Sequence, residues 1–205
     1  MRHSGAVRAL VTAGDTPEAY LARRDPVLAG VIASTNERWT CQRSEDPIWG
    51  LIRIVIAQQI STRAATTLAA RVLHAYPSLA TDGVLGTTVH PDVLRACGLS
   101  PRKADCCMRI TNEARRILEG ITADEPCDSA LQGIPGIGPW TVAIFRIMIL
   151  RDPDVFPVGD AGLIRAIETN YGQDADVGSL ADTWRPFRSV GCWYLWRSLG
   201  NPPLG

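Results

Sequence analysis

Residues 131–141 read Leu-Gln-Gly-Ile-Pro-Gly-Ile-Gly-Pro-Trp-Thr, and within them Ile134-Pro135-Gly136-Ile137-Gly138 has the composition of a tight turn between two apolar helices. Gly136 and Gly138 permit backbone angles with φ > 0 and leave room for another backbone to come close. Such a turn aims successive N–H groups outward at the start of a helix, where the helix dipole helps them hold a phosphate oxygen; Thr141 falls in that first turn. Neighbouring carbonyls, those of Gln132, Ile134 and Ile137, can ligate a monovalent cation, sodium or potassium, that bridges to the same phosphate. A contact of this kind positions a backbone and ignores base identity. The same residues also suit a plain connector between helices.

Further along, Val155-Phe156-Pro157-Val158-Gly159-Asp160 ends on a carboxylate placed to N-cap a helix from Ala161 onward. Asp152 and Asp154 lie in the same loop and are expected to face solvent. Trp193 and Trp196 stand three apart with Trp184 before them, a spacing that packing residues often have. The three histidines, His3, His74 and His90, lack partners at ligand spacing, which argues against a catalytic zinc. Cys41, Cys97, Cys106, Cys107, Cys127 and Cys192 are irregularly spaced and read as small core or surface thiols in a reducing compartment.

The elements that position these residues are helical. Ile48, Leu51, Ile52, Val55, Ile56 and Gln59 recur at helical spacing after Pro47, one stripe whose last member is polar. A second helix, near Thr62 to Tyr76, carries Leu68, Val72 and Leu73 and stops before Pro77. Gly98-Leu99-Ser100-Pro101 closes one helix and opens another, with Ser100 as N-cap and Pro101 in the first turn; that helix is expected to run to about Leu118 and end before Gly120. Val142 to Leu150 is apolar on nearly every side and must be buried. A helix from Asp160 to about Tyr171 and a last helix holding Trp193 and Trp196 complete the set. No alternating strand pattern of useful length occurs, so the expected class is all-α. Residues 1–40 read as a partly flexible segment with one or two helices that pack on a main domain of residues 41–205.

Lys+Arg and Asp+Glu each number 21 in the 205-residue chain, so net charge is zero and any affinity for nucleic acid must come from local clustering. No apolar run approaches the roughly 18 residues of a membrane span, and the Met-Arg-His-Ser start lacks the apolar run of a secretory signal. The cytoplasm, or the nucleoid within it, is the expected location.

In the hairpin, in Asp160 lying 22 positions after Gly138, in Gln58-Gln59-Ile60-Ser61, in Gly98-Leu99-Ser100-Pro101-Arg102-Lys103-Ala104 and in Trp184-Arg185-Pro186-Phe187-Arg188-Ser189, the chain resembles the helix-hairpin-helix superfamily of DNA glycosylases. The matches keep the family's order over roughly residues 40–200. The resemblance implies two helical lobes with the active site in the cleft between them, Asp160 as the essential aspartate, and damaged double-stranded DNA as partner of a monomeric protein. Members that also nick the strand carry a lysine where this chain has Trp140, and the iron-sulfur branch has four closely spaced cysteines near its C-terminus, where only Cys192 lies here. Both differences imply a monofunctional enzyme without an iron-sulfur cluster or other cofactor. Similarity is greatest to the alkylpurine branch, 3-methyladenine DNA glycosylase II. By that resemblance Trp140 and Trp196 line a base pocket, with Ile144 and Ala161 at positions that can be aromatic in the branch. The extra N-terminal β-domain of a bacterial representative of that branch is not expected here, because the stretch before residue 40 is too short for it.

An alkylated purine is cationic, and an indole face attracts cations by up to about 2 kcal/mol when desolvated. A base in the stack must be flipped out at a cost of a few kcal/mol, and the resemblance assigns the gap-filling wedge to Gln59, flanked by Gln58 and Ile60. Cleavage of the C1′–N bond develops an oxocarbenium-like sugar that a carboxylate at Asp160 can stabilise, or for which it can orient water. Arg63, Arg102, Lys103 and Arg188 are candidates for phosphate contacts, for ordinary surface charge or for ion pairs. A glycosylase for uracil, mismatched thymine or an oxidised purine, and a noncatalytic DNA-binding module, remain alternatives.

Overall fold

The computed structural model describes residues 16–42, 46–81, 85–122, 128–131 and 133–200. In chain order the helices are α1 (Pro17–Arg24), α2 (Pro26–Ser34), α3 (Pro47–Ala57), α4 (Thr62–Ala75), a 3-10 turn at Pro77–Ala80, α5 (Pro91–Ala96), α6 (Pro101–Asn112), α7 (Ala114–Thr122), α8 (Asp128–Leu131), α9 (Pro139–Ile144), a π turn over Phe145–Ile149, α10 (Ala161–Tyr171), α11 (Val177–Thr183) and α12 (Arg188–Ser198). No strand occurs among the described residues, so the fold is all-α as the periodicity predicts.

One local device starts four of these helices. Thr16, Asp25, Asp46 and Ser100 each precede a proline at the first helical position, and each side-chain oxygen accepts a first-turn N–H: Ala19 at 3.1 Å, Leu28 at 2.9 Å, Ile48 at 2.8 Å and Lys103 at 3.5 Å. Proline has no N–H to leave orphaned there and its fixed φ suits the helix, while the cap satisfies a donor that the helix cannot.

Among the described residues one compact unit comprises 16–42 and 151–200, the other 46–81, 85–122, 128–131 and 133–150. In the first, α12 is the central rod: Ser189 through Trp196 are all buried, and α12 packs on α1, α2 and α10. A helix apolar on every side is a core helix. Gly191 lets it sit close, since a Cβ there would meet the Trp184 ring at 3.2 Å. In the second unit α3 is central, with Ile48, Leu51, Ile52, Ile54, Val55 and Ile56 fully buried against α4, α6, α7 and the π turn.

Three elements depart from expectation. The helix opened by Ser100 breaks at Glu113 and resumes as α7 through Thr122. Gly120 sits inside α7 as the point where α8 approaches, because a Cβ there would lie 2.4 Å from that of Ala130. The apolar run after Val142 widens into a π turn, in which Leu150 N–H donates to the Phe145 carbonyl at 3.0 Å. Third, α11 carries only one buried residue, Ala181, too little apolar patterning for the sequence to announce a helix.

Candidate active site

The hairpin is a turn with Pro135 and Gly136 at its centre, closed by Ile137 N–H donating to the Ile134 carbonyl at 3.0 Å. Gly136 takes φ +100°, as the third position of such a turn requires. A side chain is also excluded there, since a Cβ would meet Cys106 Sγ at 2.9 Å. Gly138 corrects the expectation for the pair: its φ is −106°, open to any residue, and nothing lies within 4 Å of a Cβ built on it. It N-caps α9 with no side-chain hydrogen bond. Beneath the turn Cys106 is buried, and burial pushes its thiol from 9.0 up to about 11, with Arg109 pulling the other way.

Gln58 binds this hairpin. Its Nε2 donates to the Gly136 carbonyl at 3.0 Å and to Thr141 Oγ1 at 2.9 Å. A carbonyl can only accept, which fixes which end of the amide faces the turn. The side chain of Gln58 is thus occupied with the hairpin, in place of the flanking-wedge role expected of it. Lys103 likewise differs from a phosphate contact: its Nζ donates to the carbonyls of Ile56 (2.8 Å) and Gln58 (2.7 Å), the open C-terminal acceptors of α3, where a cation also favours the helix dipole. Desolvation lowers the pKa of that ammonium, with a smaller opposing effect from Cys107.

Gln59 is not the last member of the α3 stripe. The helix stops at Ala57, Gln58 turns to ψ 126°, and Gln59 adopts φ +58°, exposed at the tip of the loop beside the exposed Ile60. The left-handed conformation costs a residue with a Cβ roughly 1 kcal/mol. Ser61 then caps α4 by accepting Ala64 N–H at 3.3 Å. Arg63 lies on the exposed face of α4 with Arg71 and His74, and Arg102 is exposed at the start of α6.

In the other unit, Asp160 is buried at 7% exposure and caps α10. Its Oδ1 accepts two donors, Leu163 N–H at 2.6 Å and the indole N–H of Trp196 at 3.0 Å. The α10 dipole supports the charge, and Gly162 beside it leaves space for Trp196, whose ring would lie 3.7 Å from a Cβ. A carboxylate whose Oδ1 is held in this way at a helix N-terminus is an arrangement able to face positive charge.

Its neighbourhood corrects one further expectation and decides between the readings of Arg188. Asp154 does not face solvent: it is 6% exposed, and Arg188 Nε donates to its Oδ1 at 2.6 Å, with Arg188 Nη2 also reaching the Asp154 carbonyl at 2.9 Å. Arg188 is therefore committed to an internal pair that, with Ser189 Oγ accepting Val155 N–H at 2.8 Å, ties the loop before Asp160 to α12. Asp152 accepts Asp154 N–H at 3.1 Å. One polar cluster was missed. Asp25, beyond capping α2, receives Tyr171 OH at 2.7 Å and Trp184 Nε1 at 2.8 Å, and so joins the N-terminal helices to the end of α10 and the approach to α12. Burial, then the Asp25 carboxylate, pushes the Tyr171 hydroxyl well above its usual range.

Of the four residues expected to line a pocket, Trp140 is half-buried and Ala161 exposed. Ile144 is fully buried and Trp196 is 1% exposed with its N–H on Asp160, so both act in packing and positioning and offer no open face. Trp184 and Trp193 are core residues; Trp193 packs edge-on to Trp39 and Tyr194. Of the three carbonyls expected to ligate a cation, that of Gln132 lies outside the described residues, and that of Ile134 accepts the turn bond from Ile137 N–H. No group of three or more His, Cys, Asp or Glu residues that could hold a metal occurs among the described residues, nor is any helix there long and apolar enough to cross a membrane.

No family model matches the chain. A Mycobacterium tuberculosis protein named "Probable bifunctional transcriptional activator/DNA repair enzyme AlkA" is 30% identical over 98% of this chain and 44% of its own length. DNA-3-methyladenine glycosylase 2 of Escherichia coli is 28% identical over 74% of this chain and 57% of its own length. The chain thus spans about half the length of these curated relatives. Among solved structures, a 3-methyladenine DNA glycosylase of Schizosaccharomyces pombe in complex with abasic DNA superposes with a TM-score of 0.72 at 24% identity, covering 91% of this chain and 98% of that one, a likeness of fold. With hairpin, loop and aspartate in the family's order, the chain belongs to the helix-hairpin-helix superfamily of DNA glycosylases.

Proposed function

We propose that this protein is a monofunctional DNA glycosylase of base excision repair, which flips out an alkylated purine such as 3-methyladenine and hydrolyses its N-glycosidic bond, leaving an abasic site. The observation that carries the proposal is Asp160: a buried carboxylate held through Oδ1 by Leu163 N–H and Trp196 Nε1, with the α10 dipole behind it. As the C1′–N bond breaks, positive charge develops on the sugar, and a preorganised anion lowers that barrier. Cationic alkylpurines are already good leaving groups, so stabilising the sugar and orienting water suffice; no lysine nucleophile stands at Trp140.

In this proposal the hairpin holds the DNA backbone through N–H groups at the start of α9, and Gln59 fills the gap left by the flipped nucleotide. Trp140 supplies an aromatic face for the cationic base. The protein works as a monomer on duplex DNA in the cytoplasm, associated with the nucleoid. A panel of duplexes, each with one defined lesion, tests the substrate: 3-methyladenine should be freed, whereas release of uracil alone would contradict the alkylpurine assignment. Borohydride trapping should yield no covalent adduct, because the lyase route requires an amine nucleophile.

A further inference from the structure

We infer that Gln58 is a positioning residue, a strut that makes the DNA-gripping hairpin and the intercalating loop move as one body. The inference rests on the glycosylase reading above for the roles of those two parts, and on geometry for their connection. Gln58 lies between them: its main chain is the first residue of the loop after α3, and its side chain ends on Gly136 and Thr141. Both acceptors are functionally placed, Gly136 at the turn and Thr141 in the first turn of α9, where its side chain is buried at 2% exposure.

The strut is anchored at its other end as well. Lys103 Nζ bonds the Gln58 carbonyl at 2.7 Å and that of Ile56 at 2.8 Å, so α6 fixes the main chain from which the side chain reaches out. Between these two attachments and Ser61, which caps α4, stand only Gln59 and Ile60. Gln59 takes φ +58° there, and strained conformations of this sort persist where surroundings over-determine them. The attachments of Gln58 supply that determination. A hairpin that has found a phosphate thereby delivers Gln59 to a set place along the duplex instead of leaving its insertion to a loose loop.

Gln58→Met keeps length and removes the donors, and Gln58→Glu turns a carboxylate oxygen toward the Gly136 carbonyl. In amide exchange on the free protein, both variants should lose protection at residues 134–142, with melting otherwise near that of the natural protein. On alkylated duplex, single-turnover release should fall by about 10-fold, while the Kd for undamaged duplex changes by less than about 3-fold. In the Gln58→Met background, Gln59→Ala should add no more than about 2-fold, against a much larger effect in the natural protein, as expected of residues that act as a unit. In the natural background Thr141→Ser keeps the hydroxyl acceptor and should retain near-natural release, whereas Thr141→Val should not. Unchanged exchange at the hairpin, or full additivity of Gln58→Met with Gln59→Ala, would overturn the strut. If the natural protein frees no base from any lesion, the glycosylase reading fails, and the exchange experiment alone still decides whether Gln58 couples the two parts.

Discussion

The indole N–H of Trp196 donates to Oδ1 of Asp160 at 3.0 Å, from a position two turns along α12 to the cap of α10. The tryptophan is 1% exposed, so its consequence for chemistry runs through the carboxylate and not through contact with a base. Trp196→Phe keeps the ring in its cavity and deletes the donor. Base release should fall by roughly 10- to 100-fold with the fold retained, as a misaimed catalytic group implies. Single-turnover rates alongside thermal melting check this, and a Trp196→Phe protein with the natural rate would remove Trp196 from the positioning of Asp160.

The two hairpin glycines should separate in a stability measurement. At Gly136, φ +100° and Cys106 Sγ at 2.9 Å oppose a Cβ, so Gly136→Ala should destabilise the protein by about 1–3 kcal/mol. Gly138 has an ordinary φ of −106° and open space around its Cβ position, so Gly138→Ala should change unfolding free energy by less than about 1 kcal/mol. Loss of duplex affinity on Gly138→Ala without loss of stability would identify that glycine as the place where DNA comes close.

Asp25 should prove a principal anchor of its unit. Its carboxylate satisfies Leu28 N–H, Tyr171 OH and Trp184 Nε1 in a buried setting, and Asp25→Ala leaves all three without their acceptor. A cost of about 3–5 kcal/mol in urea unfolding is expected, with Tyr171→Phe costing about 1–2 kcal/mol. Equal, small effects for both would contradict the assignment.

Alkali should weaken the fold through its buried thiols. Cys106 has its pKa raised from 9.0 to about 11, and burial raises those of Cys107 and Cys192 too. A group whose folded pKa is raised stabilises fully below its unfolded pKa and ceases to do so as pH rises through the folded value. Stability should therefore decline between about pH 9 and pH 11, and Cys106→Ala should reduce that decline. At pH 8, maleimide should label exposed Cys41 well before Cys106.

How far the sequence discloses this molecule depends on how local each cause is. Ser100-Pro101 and the apolar stripe from Ile48 to Ile56 are local signals, and the helices begin where they indicate. The α3 stripe overran to Gln59 because helical spacing persists after the backbone has turned at Gln58. Asp25 caps the helix that Pro26 opens, but its partners Tyr171 and Trp184 lie 146 and 159 residues away, beyond any pattern. Asp154 and Arg188, 34 residues apart, are hidden for the same reason. Trp196 has the spacing of a packing residue whether its N–H meets solvent, a base or Asp160, so only coordinates could assign it.

The central claim is that Asp160 drives base removal, and substitution by its isosteric amide tests it most directly. Alkylated duplex incubated with the natural protein should lose its modified purine, and Asp160→Asn should lower the single-turnover rate by at least roughly 100-fold while duplex binding is retained. Equal release by the two proteins would contradict the account.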